Sequence, residues 1–148
     1  MKKSALEYVL FLLSRRDYAI KEVREKLARK NFNEEESKKV ISDLLAKKLL
    51  DDERFAKNYC ETHNSWGNIK IKFSLIKKGV PEEIIEKTLS EDGEAEKARK
   101  AARLWLKRNQ NVVPEKKFSR LAGYLSRQGF RWEVAKEVLS ELKDGKIL

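Results

Sequence analysis

Lys100, Arg103 and Lys107 stand at i, i+3 and i+7, with Arg99 beside them. On a helix that spacing gathers cations along one side. Further on, Lys117, Arg120, Tyr124 and Arg127 follow at i, i+3, i+7 and i+10. Cations interleaved with an aromatic ring suit a phosphate backbone beside a stacking surface. A solvated helix face would account for either stripe alone. Two stripes in one basic segment favour a binding surface for single- or double-stranded DNA. Nothing in the spacing aims side chains at base edges, so base-specific readout is not indicated. Lys70, Lys77 and Lys78 form a smaller group of candidate contacts.

Other chemistries find little support. The chain holds one cysteine, Cys60, and one histidine, His63. They are too few for a zinc site, and no orienting acid or oxyanion motif accompanies them. There is no GxGxxG, GxxxxGK[ST], HExxH, GxSxG or CxxC, so catalysis and bound cofactors are not expected. The acid pairs Asp51-Asp52 and Glu82-Glu83 read as helix-start carboxylates.

The formal net charge is +10 over 148 residues. Residues 1–50 carry 13 basic and 8 acidic side chains, residues 51–92 carry 7 and 9, and residues 93–148 carry 14 and 7. Such a field attracts polyanions or an acidic protein surface. A single cysteine allows no internal disulfide and agrees with a cytoplasmic setting. The opening MKKSALEYVLFLLSRR imitates a signal peptide, but Glu7 breaks the apolar run and no small-residue cleavage site follows. It reads as a buried helix, and no segment is apolar for long enough to span a membrane.

The elements that must position these residues are helical almost throughout. Ala5, Leu6, Val9, Leu12 and Leu13 form one apolar stripe, and Ile20, Val23 and Leu27 the next. Asn33 and Glu36 have the spacing of a capping box before Val40, Ile41, Leu44 and Leu45. IKIKF alternates like a strand, yet Ile69, Phe73 and Ile76 also fit a helix, which is the preferred reading. A long helix is expected over about 95–108, one from Pro114 to Gly129, and a last one over about 132–142.

One phrase recurs. LARKNF at 27–32, LIKKGV at 75–80 and LSRQGF at 125–130 each run from leucine through polar residues to Asn or Gly and an apolar residue. Asn and Gly tolerate the left-handed conformation that ends helices. Each phrase therefore marks a corner between a second and a third helix. The chain is expected to be all-α, with three tandem three-helix repeats of about 40–50 residues forming an elongated, curved array. The units are 1–50, 51–92 and 93–148. A competing reading makes residues 19–50 an autonomous helix-turn-helix with Asn33–Lys48 as recognition helix. Glu34, Glu35, Glu36 and Asp43 weigh against it, because they would face phosphates.

DDERFAKNYCETHNSWGNIKIKFSLIKKGV resembles the core signature of the RecX family of recombinase regulators. The residues that carry the likeness are Asp51, Asp52, Arg54, Phe55, Ala56, Tyr59, Gly67, Lys70, Ile71, Leu75, Lys78, Gly79 and Val80. LLSRRDYAIKEVREKLARKNF is similar to the family's first repeat, and the likeness weakens in the third unit. The resemblance implies a non-enzymatic modulator that binds RecA along the groove of its filament on DNA. It implies restraint of strand exchange and of coprotease activity, with direct DNA binding in some members. The chain is expected to act as a monomer. Two departures matter. Ala19 stands where the family commonly has a serine, so the second helix would lose a cap worth about 0.5–2 kcal/mol. Thr62-His63-Asn64 replaces a more basic stretch, which weakens the case for cationic contacts from the middle unit. Phe55, Tyr59, Ile71, Leu75 and Gly79 are expected to be scaffold.

Overall fold

The computed structural model describes residues 3–90 and 93–145. Among them are nine helices and no strand: α1 Ala5–Arg15, α2 Ile20–Arg29, α3 Glu34–Ala46, α4 Asp52–Thr62, α5 Asn68–Lys77, α6 Glu82–Thr88, α7 Glu94–Arg108, α8 Pro114–Arg127 and α9 Trp132–Lys143. IKIKF lies in α5, so the helical reading holds there. By contacts the chain divides into two compact units. One holds Met1–Tyr59 with Leu75–Thr88, the other Cys60–Ser74 with Leu89–Leu148.

In the first unit, Ala5, Val9 and Leu12 of α1 meet Val23 and Leu27 of α2 and Val40, Ile41 and Leu44 of α3. In the second, Ala98, Ala101 and Ala102 of α7 meet Leu121 and Leu125 of α8 and Val134, Ala135 and Val138 of α9. The alanines let α7 lie close to its neighbours. Three stripes differ in detail from the apolar spacing. Leu6 of α1 and Leu45 of α3 are exposed, and the buried face of α5 is Ile71 and Leu75, with Ile69, Phe73 and Ile76 turned outward. Both sets in α5 fit a helical period, and spacing alone cannot rank them.

The recurring phrase builds the same corner three times. Asn31, Gly79 and Gly129 have φ of 63°, 83° and 86°. After each of them the chain bonds back to the helix it has left. The N–H groups of Phe32, Val80 and Phe130 donate to the carbonyls of Leu27, Leu75 and Leu125 at 3.2, 3.0 and 3.1 Å. Those of Asn31, Gly79 and Gly129 donate to Ala28, Ile76 and Ser126. This is the Schellman arrangement, which satisfies carbonyls left free at a helix end. The leucines are fully buried, and each anchors its corner.

The two glycines have a second duty. A Cβ on Gly129 would stand 2.5 Å from the backbone nitrogen of Lys70. A Cβ on Gly67 would stand 2.4 Å from the Gly129 carbonyl group. The α5 start is thus laid directly on the α8 corner, where the Gly67 and Ile69 N–H groups donate to the Gln128 and Gly129 carbonyls. At Gly79 the Lys21 side chain occupies the space a Cβ would need.

Asp51 and Asp52 have different tasks. Asp51 Oδ1 accepts from the N–H groups of Glu53 and Arg54 at 2.9 and 3.2 Å, capping its own helix α4. Asp52 Oδ1 accepts from the N–H of Ile20 at 2.9 Å, capping α2 from 32 residues away. Glu22 accepts from the Ala19 N–H at 3.0 Å. The cap expected to be missing at Ala19 is therefore supplied from α4, which local sequence cannot reveal. Arg54 completes the junction by donating to the Lys48 and Leu49 carbonyls at 2.7 and 3.1 Å. Asn33 caps α3 through the Glu36 N–H at 2.7 Å, as its spacing suggested.

Candidate nucleic-acid interface

The two basic stripes of the second unit stand on α7 and α8. A groove of about 400 Å3 runs between these helices, lined by Trp105, Asn109, Ser119, Arg120, Gly123 and Arg127. Helical spacing explains the grouping, since Arg120 and Arg127 are two turns apart on α8 and Gly123 lies between them. Gly123 leaves the room: its missing Cβ would stand 3.1 Å from an Arg127 guanidinium nitrogen. Two exposed guanidinium groups beside a serine, an asparagine and an indole can grip a phosphate and offer a ring edge to a base. Asn109 is held in place by its own donation to the Trp105 carbonyl at 2.7 Å.

Of the residues named from sequence, Arg120 and Arg127 thus share a groove. Tyr124 does not join them; it is half-buried against the α7–α9 core. Lys117 is half-buried, and Lys100, Arg103 and Lys107 are exposed along α7. Arg103 lies 3.7 Å from Glu96. Trp105, Ser119 and Gly123 were not among the candidates. Trp105 reads in the sequence as part of the apolar side of α7, and a small residue that makes room leaves no chemical signal.

Arg99 is differently placed. Its guanidinium bonds to Glu141 at 2.8 and 2.9 Å, and lies 3.2 Å from Glu96 and 3.5 Å from Glu137. The bond to Glu141, with those to Glu96 and Glu137, holds its pKa well above the ordinary arginine value. Arg99 joins α7 to α9. Beside it, fully buried Glu94 accepts from both the backbone N–H and Nε of Arg131 at 3.0 and 3.1 Å, closing the start of α9.

Lys70, Lys77 and Lys78 do not form one group. Lys70 Nζ stands 4.2 Å from the Trp66 ring centre. Lys77 is exposed at the end of α5. Lys78 bonds to Glu22 at 3.2 Å, and Arg16 meets the same carboxylate at 3.2 Å. Burial alone would raise the Glu22 carboxyl, but the Ala19 N–H, Arg16 and Lys78 outweigh it and hold its pKa below the usual range. Lys78 is therefore tied into the first unit rather than free along its outside.

Comparison with known proteins adds to this geometry. Residues 5–44 match the model of the first three-helix domain of RecX, and residues 51–89 match that of the second. Regulatory protein RecX of Chlorobium limicola is 36% identical over 149 residues, covering 95% of this chain and 91% of that one. The chain belongs to the RecX family. Regulatory protein RecX of Haemophilus influenzae is 32% identical, covering 95% and 96%. The crystal structure of RecX from Lactobacillus salivarius superposes with a TM-score of 0.80 at 25% identity, covering 94% of each chain. A further RecX crystal structure at 24% identity shares the fold with a TM-score of 0.78. Within this family fold the signature residues Asp51, Asp52, Arg54, Phe55, Gly67 and Gly79 act as caps, clamps, core and corners. The open cationic groove lies outside the two matched domains, on α7 and α8.

Proposed function

We propose that the chain is a regulatory binding protein for RecA, docking on the RecA filament on DNA and restraining strand exchange and coprotease activity. Membership of a family of regulatory proteins is the observation that carries this reading. The α7–α8 groove supports a DNA component. In this reading Arg120 and Arg127 meet phosphates of the filament's DNA, and Lys100, Arg103, Lys107 and Lys117 extend the cationic surface. Tyr124 and Arg99 hold the helices that present it. Lys77 is a further contact, while Lys70 and Lys78 serve mainly as scaffold. The three repeats, 1–50, 51–92 and 93–148, give binding surfaces and no catalytic centre, and the protein works in the cytoplasm as a monomer without cofactors.

The test is a strand-exchange and ATPase assay with RecA, titrated with the chain at sub-stoichiometric ratios. Inhibition that deepens with added chain is expected. An unchanged RecA reaction, together with tight binding of the chain to one duplex sequence, would favour an autonomous DNA-binding protein instead.

A further inference from the structure

The first unit carries an open cleft of about 740 Å3 between α1 and the α2–α3 corner. Its floor is apolar and aromatic: Tyr8, Phe11, Leu12 and Phe32. Cations stand over that floor. Lys3 Nζ is 4.2 Å from the Phe11 ring centre and Lys30 Nζ 5.6 Å from that of Tyr8. Phe11 is 45% exposed. An apolar surface of this kind, rimmed by charge, marks an interaction site.

The repeat identifies what kind of molecule belongs there. Asn31 holds the corner position that Gly129 holds in the second unit. Around Gly129 that face is covered by protein, because residues 60–74 pack with α7–α9 and the α5 start bonds to the corner carbonyls. Among the described residues, no such segment covers the Asn31 corner. Asn31 also bears the Cβ that Gly129 cannot bear, so a backbone cannot lie directly on this corner. An occupant must be held by side chains instead.

We infer that this cleft docks an acidic segment of a partner protein, with one aromatic or aliphatic anchor residue seated on Tyr8, Phe11 and Phe32 and flanking carboxylates paired with Lys3 and Lys30. The charge of the rim sets the choice, since among the described residues that line the cleft Lys3 and Lys30 face a single acid, Glu36. Lysines over aromatic rings add to the attraction for an incoming carboxylate while keeping the floor apolar. Its lining residues share none with those of the α7–α8 groove.

The experiment uses the whole chain and a fluorescein-labelled peptide, Asp-Glu-Phe-Asp-Glu-Leu, read by fluorescence anisotropy. A peptide with lysines in place of the acids and a single-stranded oligothymidine serve as competing probes. The acidic peptide is expected to bind and the lysine peptide not to. Lys30→Glu and Phe11→Ser should each weaken acidic-peptide binding by about tenfold. Both positions are exposed, and an unchanged circular dichroism spectrum certifies the fold. Three outcomes overturn the inference: no binding of the acidic peptide, equal binding by both variants, or displacement of the peptide by oligothymidine whose own binding falls in the same variants. The last would make the cleft a nucleic-acid site.

Discussion

Replacing Asp52 separates the role of its oxygen from that of its charge. Asp52→Ala removes the acceptor of the Ile20 N–H, a bond of 2.9 Å at a site where Asp52 is 7% exposed and Ala19 fully buried. A lost N-cap costs about 0.5–2 kcal/mol, and a buried N–H left unpaired costs about 1–3 kcal/mol. A loss of about 2 kcal/mol lowers Tm by about 4–8 °C in a chain of this size. Asp52→Asn keeps an oxygen for the same bond and removes the charge. Burial raises the Asp52 carboxyl above the usual aspartate range; the Ile20 N–H opposes this, while Asp51, Asp17 and Glu22 add to it. A raised folded-state pKa means that the group's stabilisation is complete below the ordinary aspartate range and is lost as pH rises through the raised value. At neutral pH the asparagine variant should therefore match or exceed the parent. On acidification the parent should gain relative to it. Urea unfolding followed by circular dichroism, at neutral pH and at steps down to about pH 4, measures both effects. Equal losses in the alanine and asparagine variants would refute the tertiary cap. So would a loss under about 0.5 kcal/mol for alanine.

Three further outcomes follow from the same geometry. Gly129→Ala, at φ 86° and with its Cβ 2.5 Å from the Lys70 backbone nitrogen, should cost well over about 1 kcal/mol, while Gly93→Ala, whose Cβ meets nothing within 4 Å, should be near neutral in the same unfolding assay. Lys48→Gly should stabilise by about 0.5–1 kcal/mol, since Lys48 holds φ 59° without a glycine, and chemical denaturation reads the sign directly. Arg99→Ala should lower Tm and leave DNA affinity largely intact, whereas Arg120→Glu with Arg127→Glu should weaken DNA binding and flatten its salt dependence at unchanged helicity.

Much of the fold could be read in the chain. The corner phrase is legible because a left-handed residue followed by an apolar one is a local device, and Asn31, Gly79 and Gly129 all use it. The helix of IKIKF could be read, but not its buried face, because Ile69-Phe73-Ile76 and Ile71-Leu75 both satisfy a helical period and only packing decides. The cap from Asp52 to Ile20 was invisible for a different reason. It joins residues 32 apart, and a carboxylate at a helix start looks the same whichever helix it serves. In the candidate interface, the arginines of α8 were legible from spacing, while the roles of Arg99 and Lys78 were not. Their carboxylate partners, Glu141 and Glu22, are 42 and 56 residues away.

Binding of the labelled chain to RecA filaments tests the central claim most directly. RecA is assembled on single-stranded DNA with a slowly hydrolysed nucleotide, and bare DNA of the same length is measured alongside. Tighter binding to the filament than to bare DNA is predicted, with the Arg120→Glu and Arg127→Glu double variant losing part of that affinity. Equal or weaker binding to the filament would contradict a RecA-directed regulator and leave a DNA-binding protein in its place.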